Sequence, residues 1–340
     1  MVQQELSPPE SPFDVATPNR QKRNATDADV IPRPHHGSRV SSPVSSVSTS
    51  SSIHSRSSSL FKRQIMGLRL NDAGLEVRQL RVDAAPNPRA ASLLDILGDI
   101  GKANDILSES QRDSILNSVR PNIRQWRHSF KSPGSSDSLP GRIPSPDEMS
   151  QLLQRASECH DPGHDEASWN VEVYNYLLSL ILREPGTAKG GLLNFTTWGV
   201  LLATTTRPHA IWLPQSTRAK LVDYCIYADL ISQDASTTQT LSAFCQKMPT
   251  LSANHTESRP SQLRPIVLSI ETKRPGSELD AAQLQMSVWH AAQWSFLHSA
   301  VLMQTLRCLA FLPDGIFMGH RWLFLFSTRE GAKTILWPEI

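Results

Sequence analysis

Only four cysteines occur in 340 residues (Cys159, Cys225, Cys245 and Cys308), and no two of them form a CxxC pair. That scarcity argues against a disulfide-built secreted scaffold and suits a reducing intracellular compartment. Cys225 and Cys308 stand among apolar residues and read as buried thiols. No run reaches the roughly 18 apolar residues of a membrane span. The start, Met1-Val2-Gln3-Gln4-Glu5, has no apolar signal-peptide core. Net charge is only +2, so no field attracts polyanions to the whole molecule, and nucleic acid would have to be met in a local groove. GxSxG, Walker and GxGxxG loops are all missing, which removes three common enzyme signatures. His160 and His164 lie near Cys159, but no second ligand pair completes a structural zinc site. Asn254-His255-Thr256 has the N-x-T form of a glycosylation acceptor, idle without a secretory signal.

What is present changes along the chain. Residues 1–60 are rich in Ser and Pro, with Ser57-Ser58-Ser59 among the densest parts, and lack apolar periodicity. They read as a disordered tail. Its basic run Arg20-Gln21-Lys22-Arg23 could serve nuclear import. Residues 61–145 read as short helices and a linker: one helix from Ala91 to Gly101, another from Gln111 to Ser118, then a Pro/Gly/Ser-rich run from Pro133 to Pro146. Arg124, Arg127, His128 and Lys131 around Trp126 form either a solvated face or a phosphate-contacting stripe.

Residues 146–340 carry the globular pattern. Ser145-Pro146-Asp147-Glu148 starts a helix, and a stronger one runs from about Asp165 to Arg183 with an apolar face of Trp169, Val173, Tyr176, Leu177, Leu180 and Ile181. A β-rich stretch covers Leu192 to Thr205, and a strand is expected in Lys220 to Leu230. The Ser/Thr/Gln-rich segment Ser232 to Arg264 reads as an inserted loop with a short helix near Leu241 to Cys245. A strand Ile266 to Lys273 precedes a helix from Glu278 to about Gln304, in which Trp289 and Trp294 are expected core anchors. Strands Phe317 to Ser327 and Lys333 to Trp337 close the chain. This alternation predicts an α/β fold, a mixed central sheet flanked by helices.

The most telling feature is the end of one strand. Glu271 and Lys273 follow the apolar run Ile266-Val267-Leu268-Ser269-Ile270 and precede the turn Arg274-Pro275-Gly276. Residues i and i+2 of a strand share a face, so an acid and an ammonium project together from a buried strand. They form either a salt-bridged strand end or a site that holds a metal ion and steers a nucleophile. Asp223, near the start of the strand Leu221-Val222-Asp223-Tyr224-Cys225-Ile226, would bring a second acid to one hydrated Mg²⁺ or Mn²⁺ if the two strands are neighbours. Lys273 could then orient water and stabilise charge on a phosphate. Gln285 could position that water, contact DNA or simply bridge, and Glu172 could add a further carboxylate.

Taken in order, these residues resemble the PD-(D/E)XK nuclease superfamily, with its restriction-endonuclease-like core. Asp223 matches the first acid, Glu271-Thr272-Lys273 the (D/E)xK triplet, and Gln285 to Trp289 the Q-x-x-x-Y element with Trp for Tyr. The segments Trp169 to Val173, Lys220 to Tyr224, Pro265 to Lys273 and Gln285 to Trp294, with Phe311-Leu312-Pro313 and Gly319-His320-Arg321-Trp322, look like a nuclease-like domain of fungal proteins. The resemblance spans about Asp165 to Trp337. Val222 stands where the motif has Pro, and the stretch from Asp223 to Glu271 is long. The chain stops at Ile340, where family members are expected to continue, and the lost piece would leave an edge strand without its neighbour.

The resemblance implies Mg²⁺- or Mn²⁺-dependent hydrolysis of phosphodiesters in nucleic acid. Asp223, Glu271 and Glu172 would be metal ligands, and Lys273 and Gln285 would complete the catalytic set. A competing expectation is an inactive nuclease-fold module that binds nucleic acid or a protein partner. A third is a protein whose Ser-rich tail recruits protein partners under phosphorylation. No membrane association is expected, and oligomeric state is not legible.

Overall fold

The computed structural model describes residues 63–81, 85–118, 126, 128–132, 141–198, 207–214, 217, 220–276, 279–300 and 309–338. The chain divides into two units, Met1–Thr49 and Ser50–Ile340, and every described residue belongs to the second. The tail 1–60, its basic run, Arg124, Arg127, the linker core 133–140 and Cys308 lie outside the described residues.

The elements follow in chain order. A short strand β1 (Leu75–Val77) precedes helices α1 (Pro88–Gly101), α2 (Arg112–Ser118) and α3 (Pro146–His160). Helix α3 starts on a reciprocal cap: the Ser145 side chain accepts from the Glu148 N–H, and the Glu148 carboxylate accepts from the Ser145 N–H. Then come α4 (Glu166–Trp169), a π-helical turn (Asn170–Tyr174) and α5 (Asn175–Leu182), followed by β2 (Leu193–Thr197) and β3 (Tyr224–Ala228). Helix α6 (Ala235–Lys247), β4 (Ile266–Lys273), α7 (Leu279–Ala300), β5 (Leu312–Met318), β6 (Arg321–Glu330) and β7 (Lys333–Pro338) complete the order.

The seven strands form one sheet in the order β1-β7-β6-β5-β4-β3-β2. Pairs β4–β5 and β1–β7 are parallel and the others antiparallel, so the sheet is mixed. Helix α7 is the crossover that parallel β4 and β5 require. The π turn and α5 cover one face through Val173, Tyr174, Leu177 and Leu178, which meet Phe195, Tyr224 and Ile270. Helix α7 covers the other through Ala282, Met286 and Trp289, which meet Cys225, Ile266 and Ile316. Strand β4 is thus enclosed on both sides, which explains its nearly continuous apolar run. Trp289 and Trp294 are both buried, as expected, and so is Cys225.

Four local expectations change. The helix expected from Asp165 to Arg183 contains a π turn, whose extra residue rotates the next helical segment. Tyr174, Leu178 and Leu182 therefore enter the core, whereas Tyr176 and Ile181 only flank it. The expected strand Phe317 to Ser327 is a hairpin: β5 ends at Met318 and β6 begins at Arg321. Gly319 makes that turn at φ +59°, where a Cβ would stand 2.6 Å from the Pro275 ring. The insertion 232–264 holds a 13-residue helix, α6. Its remainder closes around buried Asn254, which donates to the carbonyls of Ser261 (2.7 Å) and Arg264 (3.0 Å) and accepts from the Ile266 N–H (2.8 Å). Asn254 is therefore a structural side chain, not an exposed acceptor for sugar. Finally, β7 pairs with β1 on its outer side, so the edge expected to lack a neighbour is covered by a segment preceding the globular pattern.

Candidate active site

The site begins with the register of three strands. Tyr224 pairs with Ile270 across β3–β4, and Glu271 with Ile316 across β4–β5. Asp223 stands one residue before β3 and is tied to β4 twice. Its N–H donates to the Ile270 carbonyl at 3.0 Å, and its Oδ2 accepts from the N–H and the hydroxyl of Thr272, both at 2.8 Å. The middle residue of the Glu-Thr-Lys triplet is thus the one that fixes the first acid. Sequence reasoning passed over Thr272, although a β-branched hydroxyl beside two charges at a strand end was the available signal.

Glu271 is wholly buried. Its Oε1 accepts from the Lys273 ammonium, and its Oε2 accepts from the Gln285 amide at 2.6 Å. The same amide donates to the Leu221 carbonyl, so Gln285 spans from α7 to the segment leading into Asp223. Lys273 Nζ also donates to the Thr272 carbonyl at 2.7 Å and to Glu166 Oε2 at 3.4 Å. Of the five residues expected at the site, the fold brings together Asp223, Glu271, Lys273 and Gln285.

Glu172 is not among them. Its carboxylate accepts from Arg155 at 2.9 Å on an exposed surface. Glu166, six residues earlier, reaches Lys273 instead. The first turn of α4 points at the sheet end where β4 stops, while the π turn carries Glu172 outward. The signal was Asp165, which accepts from the Ser168 N–H as the N-cap and so places Glu166 in the first turn.

Three carboxylates therefore face one ammonium. Burial pushes the Glu271 carboxyl well above its ordinary range, and the charge of Asp223 adds to this against the pull of Lys273. Glu166 is also raised, first by burial and then by Asp223, again opposed by Lys273. Burial is the largest single effect on Lys273 and disfavours its charge, yet the surrounding acids outweigh it and hold its pKa above the ordinary lysine value. Surplus negative charge is what a divalent cation would relieve, and a set of hard oxygen donors suits Mg²⁺ or Mn²⁺. Among the described residues no three His, Cys, Asp or Glu side chains already form a metal cage. Mg²⁺ needs only one or two carboxylates beside water and substrate oxygens, so the residues present fit it.

Beneath the acids lies a second polar layer that the sequence did not announce. Asp314 on β5 accepts from the Ser269 N–H at 2.7 Å, and its other oxygen meets the buried ring of His290 on α7. The Ser269 hydroxyl accepts from the Trp289 indole at 2.9 Å. These bonds join β4, β5 and α7 two residues before Glu271.

Comparison with known proteins adds a family and nothing finer. A family model described as PD-(D/E)XK nuclease superfamily matches residues 115–340, well over half of the chain. The match speaks to the superfamily and not to a fungal branch of it. No curated protein and no solved structure matches the chain. No described helix is long and apolar enough to cross a membrane.

Proposed function

The chain belongs to the PD-(D/E)XK nuclease superfamily, and on that premise we propose that it hydrolyses phosphodiester bonds in nucleic acid with Mg²⁺ or Mn²⁺. The observation that carries this reading is the gathering of Asp223, Glu271 and Glu166 around Lys273 at one end of β4. Asp223 and Glu271 would hold the ion, with Glu166 as a further acid within reach. Bound there, the ion would supply Lewis acidity toward the phosphate and a lowered pKa for the attacking water.

The chain's own groups do the rest. Lys273 stays protonated among the acids, so it orients the water and neutralises charge that develops on the phosphate rather than acting as a base. Gln285 fixes the Glu271 carboxylate through Oε2, and Thr272 fixes Asp223. Incubation of the full chain with plasmid and single-stranded DNA should give cleavage with Mg²⁺ or Mn²⁺ and none in EDTA. Absence of cleavage under all these conditions, with no Mn²⁺ binding that depends on Asp223 and Glu271, would refute the reading.

One observation favours a second reading. Both oxygens of Glu271 are already engaged, by Lys273 and by Gln285. A nuclease-fold module that binds nucleic acid or a protein partner without cutting would have its acid satisfied in this way. Binding that survives Glu271→Ala, together with no cleavage by the unaltered protein, would identify it.

A further inference from the structure

The segment Gly319-His320-Arg321-Trp322 is unused by the chemistry above, yet the fold places it beside the acids. Strand β6 starts at the sheet end where β4 finishes. Thr272 pairs with Phe317 on β5, and Phe317 pairs with Trp322 on β6. Two strand spacings put the Trp322 backbone roughly 10 Å from Thr272. The indole lies nearly parallel to the Phe317 ring, with centroids 5.1 Å apart and planes at 23°. Phe317 is itself backed by Tyr174, whose hydroxyl donates to the Gly319 carbonyl at 3.2 Å.

Trp322 is nevertheless 50% exposed. One ring face rests on Phe317, so the exposure falls on the other face and the edges. A large aromatic held flat by a second ring and left open on one face costs apolar exposure that a core packing role would not require. Arg321, also exposed, precedes it in β6 and belongs to the opposite face of the strand. Exposed His320 and His160 lie with their rings 5.4 Å apart, and His320 meets Trp169, three residues from Glu166. Two exposed imidazoles therefore lie on the same side of the sheet end as the indole, near Glu166, where their N–H groups are complementary to a phosphodiester backbone.

We propose that Trp322 is a stacking platform for an unpaired base of the substrate strand, so that the protein favours single-stranded over duplex nucleic acid. The proposal rests on the nuclease reading for its choice of polymer. A base stacked inside a duplex offers no free face, whereas every base of a single strand does.

The test is equilibrium binding of a fluorescein-labelled mixed-sequence 20-nucleotide single strand, and of the same sequence as a duplex, in EDTA at low salt. Trp322→Ala should weaken single-strand binding about tenfold and leave duplex binding unchanged, while Trp322→Phe keeps most of the affinity. In the unaltered protein, a single strand carrying 5-iodouracil should photocrosslink to Trp322, a readout that needs no variant to fold. The proposal is overturned if the unaltered protein binds neither polymer, if Trp322→Ala binds the single strand normally or loses both polymers equally, or if crosslinks map elsewhere. Metal-dependent cleavage alongside normal binding by Trp322→Ala would remove this platform and leave the nuclease reading standing. A selective binding loss without cleavage under any condition would do the reverse.

Discussion

At the scale of the residue, the proposed chemistry turns on Glu271. The sequence showed an acid and a lysine on one strand face, and the structure adds that the acid is fully buried between Lys273 and Gln285. Its folded carboxyl is raised, chiefly by burial, so folding opposes its ionisation. The penalty for ionising it is absent below the ordinary glutamate range and grows as pH rises above that range. Glu271→Gln should therefore raise the melting temperature of the metal-free protein at pH 7 by about 2–4 °C, the shift that about 1 kcal/mol gives in a domain of this size. The gain should vanish near pH 4, and calorimetry at both pH values checks it. A gain of equal size at both would mean that the carboxyl is not strained by ionisation. Asp223, Glu271, Lys273 and Gln285 were legible because each stands at a fixed place relative to a strand or helix boundary. Glu172 stands apart from them, paired with Arg155, because spacing along a helix does not tell which end faces the sheet.

At the scale of the element, local departures from regular structure set the geometry. The π turn Asn170–Tyr174 lies between Glu166 and the residues that anchor α5. Periodicity cannot register it, because one added residue merely turns the apolar face. Tyr224 ties this turn to β3 by donating to the Asn170 carbonyl at 2.5 Å. The insertion 232–264 read as a loop because its Ser, Thr and Gln carry no apolar stripe. Its order comes from buried hydrogen bonds instead, with Asn254 at their centre. Asn254→Ala removes three bonds to the main chain, each worth about 1 kcal/mol. Thermal unfolding should show a loss of about 5–10 °C. A change under about 2 °C would mean that the insertion orders without Asn254.

At the scale of the whole molecule, the mixed sheet, the crossover α7 and the order of the acids were foreseeable, since alternating strands and helices fix which elements can neighbour one another. Strand β1 was not, because three residues carry too little pattern to separate from a linker. Its Leu75 and the nearby Leu80 are nonetheless buried. Deleting the chain through Leu80 should lower the melting temperature by roughly 10 °C or more and promote association through the bared edge of β7. A deletion ending at residue 60 is the control, and equal stability of the two would contradict the pairing of β1 with β7. The central claim is that Lys273 and the three acids form one phosphodiester-cleaving unit. It is tested most directly by the Mn²⁺-dependent rate of single-stranded DNA cleavage in the unaltered protein and in Lys273→Ala, with folding of both checked by circular dichroism. The account requires cleavage by the former and a drop of at least about 100-fold in the latter. Equal rates in two folded proteins would contradict it.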